Sequence, residues 1–293
     1  MGGLALDLWL EVTAWRAEDD AQSRVVEKIG EASELADCSL LLTAFARGAS
    51  LAGVDNVPPH HFRLASEIPL ARGLGSSGAA VAAGLLLGAA YAEASGQTPP
   101  ADLPAQLLQA GYEIEGHPDN VVASLRGGCT FGVPTEAGLQ LITPSVHGSL
   151  AFVVAWGKQT LSTRAAREAL PKQVDFADAV ENPRRLLLLL EGLRAGNHAL
   201  LALAEKERLH TRYRLPLIPG GQACLDAAHG AGASFATVSG AGAGLLAVCP
   251  HSAAQAVAEA MKAALQAADA PGRARVAAMV QGQPTVQWRP VQD

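Results

Sequence analysis

The tightest constraint on this chain is the stretch Pro69-Leu70-Ala71-Arg72-Gly73-Leu74-Gly75-Ser76-Ser77-Gly78-Ala79. Three glycines in six residues run straight into a long series of small and apolar side chains, Ala79 to Ala94. The series predicts a helix, with Ser76 or Ser77 as its N-cap. A glycine-rich turn that enters a helix makes an anion site. The first N–H groups have no partner inside the helix, the dipole favours negative charge there, and glycine lets a phosphate come close. The two serine hydroxyls add donors and an oxygen of the kind that Mg²⁺ accepts.

Gly73-x-Gly75-x-x-Gly78 also fits the dinucleotide fingerprint, but its context does not. That fold needs a strand leading directly into the first glycine and a second strand with an acidic end about 20 residues on. Here Pro69 to Arg72 intervene, and Ser95-Gly96-Gln97-Thr98-Pro99-Pro100 leads into another helical segment. The Gly-Lys-Ser/Thr ending of the P-loop is absent as well. The loop is a phosphate site of a third kind, or else a plain turn before a packed helix.

The remaining pattern mixes helices and strands without strict alternation, which predicts an α+β protein. Leu4, Leu6, Leu8, Leu10 and Val12 recur with period two, as in one half-buried strand. Val25 to Ile29 and His61 to Ile68 are extended, and Asp37 is a cap for a helix through Ala49. The helix after the phosphate loop is apolar on all sides, so it is expected to be buried, with Gly84 and Gly88 permitting close packing. Leu103 to Glu113 is helical. Strands are expected at Thr130–Val133, Leu139–Ile142, Leu150–Trp156, Ser234–Val238, Leu245–Val248 and Pro284–Trp288. Helices are expected at Asp175–Leu190, Asn197–Arg208, Gln222–Ala231 and Ser252–Ala268. The run Leu186 to Leu190 reads as a buried helix face. Pro, Ser and Gly cluster at Thr143–Gly148, which sets an expected boundary between residues 1–145 and 146–293.

With 293 residues and 49% hydrophobic content the chain can build one large or two moderate domains, from aliphatic rather than aromatic side chains. A formal net charge of −6 with no basic tract argues against nucleic acid or an anionic membrane as partner. Any positive charge needed for a phosphate must be placed locally. Cys38, Cys129, Cys224 and Cys249 lack metal-type spacing, and no leader is evident, which favours reduced thiols in a cytoplasm. No apolar run of about 18 residues is free of glycine or charge, so no membrane span is expected.

Three further stretches bear on chemistry. Glu113-Ile114-Glu115-Gly116-His117-Pro118-Asp119-Asn120 crowds polar groups at the start of a short helix that ends at Gly127-Gly128. It reads either as a ligand site or as N-capping by Asp119 or Asn120. Ser162-Thr163-Arg164-Ala165-Ala166-Arg167 opens a helix whose arginines would ordinarily be a solvated face. Arg212-Tyr213-Arg214-Leu215-Pro216-Leu217-Ile218-Pro219-Gly220 and Ser239-Gly240-Ala241-Gly242-Ala243-Gly244 complete the set; the last reads as a flexible hairpin loop.

Pro69 to Ala79 resembles the second motif of the GHMP small-molecule kinases, and Ser239 to Gly242 resembles the third. The stretches at 113–120 and 212–220 are similar to those of the homoserine kinase branch, and the matches follow family order along nearly the whole chain. The resemblance implies an N-terminal domain like ribosomal protein S5 domain 2, a ferredoxin-like C-terminal domain, and a site between them. It implies ATP at Pro69–Ala79, Mg²⁺ on Ser77 and Glu115, and L-homoserine on His117, Asp119, Arg167, Arg214 and Gly240, with a homodimer as a family-level expectation. Asp119 would pair with the ammonium group and the two arginines with the carboxylate; Arg212 is the weaker choice beside Arg214. Asn120 stands where many GHMP kinases have an aspartate base. Ala243 and Gly244 depart from the usual Pro and Ser/Thr. Gly3-Leu4-Ala5-Leu6 resembles the tail of the first motif, so this sequence is expected to lack the strand and loop before it, with an Asn and an Asp that help hold substrate in the family; either they lie upstream of the given start, or the chain is impaired. A mevalonate- or sugar-type GHMP kinase, or a non-catalytic nucleotide-binding relative, are the alternatives.

Overall fold

The computed structural model describes residues 2–17 and 22–287. They fold as two compact units. The first holds the chain to Ile68, Gly75–Thr143 and the chain from Val280; the second holds Pro69–Leu74 and Pro144–Met279. The split expected after residue 145 places Pro69–Leu74 with the N-terminal half, whereas its contacts place it with the second unit.

The first unit runs β1 (Gly2–Leu4), β2 (Leu10–Arg16), β3 (Arg24–Gly30), α1 (Ser39–Leu51), β4 (His60–Ser66), α2 (Ser76–Ala94), α3 (Leu103–Glu115), α4 (Pro118–Arg126), β5 (Cys129–Thr135) and β6 (Gly138–Ile142). Its strands form two sheets, β1-β5-β6 and β2-β4-β3, in which β3 is parallel to β4. The single strand expected over Leu4–Val12 is therefore two strands in different sheets. The break has a local cause. The Leu8 N–H turns back onto the Leu6 carbonyl (2.8 Å), and Ala5 is bonded to Gly128 and Val280 instead of continuing along one ladder. On β4 the buried side chains are His60, Phe62, Leu64 and Ser66, the alternation its sequence shows.

At the head of α1, Asp37 accepts from the Ser39 peptide N–H (2.8 Å) and hydroxyl (2.9 Å), although Cys38 is the residue that precedes the helix. Between α1 and α2 the two backbones touch. A Cβ at Gly48 would strike the Leu85 carbonyl; one at Gly84, the Leu41 carbonyl; one at Gly88, the Phe45 carbonyl. No residue of α2 from Ser76 to Ala92 is exposed. By length and composition this 19-residue helix could cross a membrane. Here its apolar surface is taken up by α1, α3 and α4.

The second unit runs β7 (Leu150–Gly157), α5 (Thr163–Glu168), α6 (Phe176–Ala195), α7 (His198–Ala204), α8 (Thr211–Arg214), α9 (Gly221–Gly230), β8 (Phe235–Val238), β9 (Leu245–Pro250), α10 (Ala254–Ala267) and β10 (Gly272–Ala277). Its antiparallel sheet has the order β10-β7-β9-β8. With α9 and α10 as the crossovers this is a ferredoxin-like β-α-β-β-α-β unit, carrying α5–α8 between its first strand and first crossover helix. The central strand β7 is buried from Leu150 to Trp156 and packs with α9 and α10 into one core.

Three expectations change here. The strand expected at Pro284–Trp288 is absent over 284–287, and Trp288 lies outside the described residues. The sheet is instead completed by β10, whose alternating arginines suit an edge. The helix from Asn197 stops at Ala204, with Asn197 capping the Ala199 and Leu200 N–H groups. Leu186 and Leu187 are exposed, at 43% and 68%, so that run is no buried face. Leu188, Leu189 and Leu190 are half-buried, and the adjoining Arg185 is paired with Glu181.

The α1–α2 seam gives a direct test. Gly88→Ala should lower stability by about 1–3 kcal/mol in urea unfolding, because the helices must separate. Gly148→Ala, where an added Cβ meets nothing within 4 Å, should stay within about 0.5 kcal/mol.

Candidate active site

In the first unit the site is built on two helix N-termini. Gly75, in the left-handed region at φ +81°, is the N-cap of α2, so Ser76 and Ser77 are the first residues of the helix rather than its caps. A left-handed glycine turns the chain so abruptly that no serine side chain has to reach back. The Ser77 hydroxyl donates instead to Glu115 Oε1 at 2.6 Å. Glu115 ends α3, and its carbonyl lies 3.1 Å from His117 Nδ1.

His117 is the N-cap of α4 and Pro118 its first residue. Neither Asp119 nor Asn120 caps this helix. Asp119 Oδ1 accepts from the Asn120 peptide N–H at 3.0 Å. The absent side chain of Gly78 leaves room for α4: a Cβ there would lie 2.8 Å from Asn120 Cβ, and one at Gly75 would lie 3.6 Å from the Asn120 amide. The first turns of α2 and α4 are therefore side by side. They bring Ser76, Ser77, Glu115, His117, Asp119 and Asn120 together around two positive helix ends.

In the second unit Pro69–Leu74 is fastened by backbone-directed bonds. The Arg72 guanidinium is buried (8% exposed) and donates to the carbonyls of Leu70 (2.9 Å), Gly157 (2.9 Å) and Lys158 (2.7 Å). Arg72, placed by sequence among the nucleotide-binding residues, thus gives three donors to the loop and to the end of β7. The Leu161 N–H bonds the Ala71 carbonyl, and the Gly244 N–H bonds the Arg72 carbonyl. The Ser239 hydroxyl donates to the Gly73 carbonyl at 2.8 Å. A Cβ on Gly73 would strike the Ser239 carbonyl, and one on Gly244 the Arg72 carbonyl. The loop 239–244 is thereby no loose hairpin, and Gly244 is the residue that lets the two backbones meet.

The arginines separate into two groups. Arg214 is buried (8% exposed) and donates from Nε to the Ala166 carbonyl (3.2 Å) and from Nη1 to the Gly240 carbonyl (2.9 Å). One bond sets Arg214 beside the residue preceding Arg167, on α5, whose N-cap Ser162 accepts from the Ala165 N–H. Arg164 faces out and pairs with Glu168. Arg212 also points away. It donates to Asp178 at 2.6 Å and to the Tyr213 hydroxyl at 2.7 Å, with its guanidinium 4.8 Å from the Tyr213 ring centroid.

The family models for GHMP kinases match the chain over residues 38–128 for the N-terminal domain and 189–267 for the C-terminal domain. A homoserine kinase of Prochlorococcus marinus (strain MIT 9303) is 39% identical over 294 residues, covering 98% of this chain and 90% of that protein. One of Synechococcus sp. (strain RCC307) is 45% identical over 202 residues, 68% of this chain and 62% of that protein. Among solved structures, a homoserine kinase of Cytophaga hutchinsonii ATCC 33406 superposes with a TM-score of 0.81 at 25% identity, over 96% of this chain and 89% of that one. This chain belongs to the homoserine kinases of the GHMP family. It is therefore an ATP-dependent phosphotransferase, and its first unit has the N-terminal fold of that family.

Asp178 accepts from both Arg208 (3.0 Å) and Arg212 (2.6 Å), and these bonds hold its carboxyl below the usual carboxylate range. A folded-state pKa below the unfolded one adds stability above the unfolded pKa and loses it as pH falls. The difference in melting temperature between the unmodified chain and Asp178→Asn should be widest near pH 7 and should close as pH drops below about 4.

Proposed function

We infer that this chain transfers the γ-phosphoryl group of ATP to the side-chain hydroxyl of L-homoserine, giving O-phospho-L-homoserine for threonine biosynthesis. Its membership of the homoserine kinases supports the reaction. The observation that carries the amino-acid part is the bond from Arg214 Nε to the Ala166 carbonyl, which sets Arg214 beside Arg167. Two arginines suit a carboxylate because each guanidinium forks and stays charged. A mevalonate- or sugar-type substrate would not need two such arginines together with an ammonium partner.

In this reading Pro69–Ala79 binds the triphosphate through first-turn N–H groups of α2. Arg167 and Arg214 hold the substrate carboxylate, Asp119 its ammonium group, and His117 and Gly240 complete the contacts. We assign residues 1–145 to the ATP-binding domain and 146–293 to the C-terminal domain, with Pro69–Leu74 packed in the second unit and the chain from Val280 in the first. Phosphoryl transfer depends mostly on positioning and charge stabilisation, so Asn120 need not be a base. Its amide instead keeps a neutral polar group over the start of α2.

Ser77 and Glu115 also fit Mg²⁺. They are hard oxygen donors whose oxygens meet at 2.6 Å beside a helix N-terminus. Mg²⁺ typically takes one or two protein oxygens and completes its shell with phosphates and water. When bound, the ion would neutralise charge on the phosphate oxygens. Among the described residues no group of three or more His, Cys, Asp or Glu side chains is arranged to hold a metal by itself. We place the enzyme in the cytoplasm, where its cysteines, all free thiols here, stay reduced.

A coupled ADP-release assay tests the reading: turnover with L-homoserine and none with mevalonate or galactose. Arg214→Gln and Arg167→Gln should each raise KM for homoserine about 10- to 100-fold, the worth of a hydrogen bond to a charged group, with KM for ATP within about twofold. An equal loss for both substrates would sink the carboxylate role.

A further inference from the structure

Glu207 lies outside the stretches that the sequence singles out for chemistry, within the helix expected over Asn197–Arg208, yet its carboxylate organises the approach to Arg214. Oε2 accepts from the peptide N–H groups of Leu209 (2.8 Å) and His210 (3.0 Å). Oε1 accepts from those of His210 (3.2 Å) and Thr211 (2.5 Å). Both oxygens are in use and the side chain is 19% exposed. A carboxylate that gathers three successive N–H groups fixes the dihedral angles of the turn between them.

That turn opens α8, four residues long. A helix of one turn does not hold itself, because nucleation costs more than one or two bonds return. Its own ladder includes the Tyr213 and Arg214 N–H groups bonding the His210 carbonyl (3.0 and 3.1 Å) and the Leu215 N–H bonding the Thr211 carbonyl, and His210 is the residue that Glu207 holds. Arg214 is the last residue of α8. The start of α8 is placed a second time by the contact of the Thr211 and Thr237 hydroxyls at 3.1 Å. Arg208 and Arg212 are turned to Asp178, and the His210 ring lies with Nδ1 3.6 Å from Glu207 Oε2.

We propose that Glu207 is a positioning residue for amino-acid binding: by fixing the turn at 207–211 it presents the Arg214 guanidinium to the substrate carboxylate. The proposal rests on the reading of Arg214 given above. It also states why the residue is an acid. Glutamine has one acceptor oxygen and would turn an NH₂ toward peptide N–H groups, so it can serve only one side of the turn. Aspartate keeps both oxygens but is one methylene shorter.

The experiment measures kcat and KM for homoserine and for ATP in Glu207→Gln, Glu207→Asp, Arg214→Gln and the Glu207→Gln/Arg214→Gln double variant, with melting temperatures alongside. Glu207→Gln should raise KM for homoserine at least about tenfold and leave KM for ATP within about twofold. Glu207→Asp should recover part of the loss. The double variant should be no worse than Arg214→Gln alone, because the first residue acts through the second. Should Glu207→Gln fail to fold, Glu207→Asp carries the same split. Additive losses in the double variant, equal effects on both substrates, or no change in either would each overturn the proposal. Should Arg214→Gln raise KM for homoserine while Glu207→Gln does not, only the Glu207 role falls. An Arg214→Gln variant with unchanged KM overturns the carboxylate reading and this proposal together.

Discussion

Close approach of another segment where a side chain would otherwise stand is the constraint on which the elements of the candidate site depend. The Ser239 carbonyl occupies the place of a Gly73 Cβ, and the Arg72 carbonyl that of a Gly244 Cβ; Asn120 crowds Gly78 in the same way. The same device closes α1 against α2 through Gly48, Gly84 and Gly88. Glycine at these positions lets backbone approach backbone where a side chain would hold the segments apart. These contacts also explain why the third glycine-rich loop can lack the usual proline and hydroxyl residue of its family: Gly244 bonds its N–H to Arg72 and needs the space.

Charge is placed with similar economy in a chain whose net charge is −6. Arg72 is buried and held by three carbonyl oxygens, and Arg214 is buried and donates to two. Carbonyl dipoles relieve the desolvation of a guanidinium without cancelling its charge. Arg208 and Arg212, by contrast, share one carboxylate at Asp178. In the proposed reading, anions are met by backbone N–H groups and by arginines fixed through backbone oxygens, whereas Arg208 and Arg212 are paired with Asp178.

The glycine spacing of 73–78, the buried alternation of β4 and the apolar helix after the phosphate loop are patterns that one residue type enforces locally, and they are visible in the sequence. The polar cluster at 115–120 is visible too, although its meaning depends on Gly78 lying against Asn120, a contact between residues some 40 positions apart that no local pattern records. The alternation of Leu4 to Val12 misleads, because a period of two says nothing about a change of sheet midway. Leu186–Leu190 misleads for a related reason: apolar content does not say which side of α6 a neighbour covers. Glu207 is invisible because its partners are peptide N–H groups, which every sequence has. β10 escapes because Arg-Ala-Arg-Val gives an edge strand few of the apolar residues by which strands are recognised.

The composition of α2 has a consequence for biosynthesis. On leaving the ribosome, Ser76–Ala94 is a 19-residue apolar segment with the length of a membrane span. The surfaces that hide it come from both directions along the chain: α1 is already made, whereas α3 and α4 are still to be translated. Until some thirty further residues have emerged, the nascent polypeptide displays a segment that chaperones and insertion machinery would compete to bind. The helix whose first turn is read as the phosphate site is thus also an apolar segment that stays uncovered until the first unit closes around it.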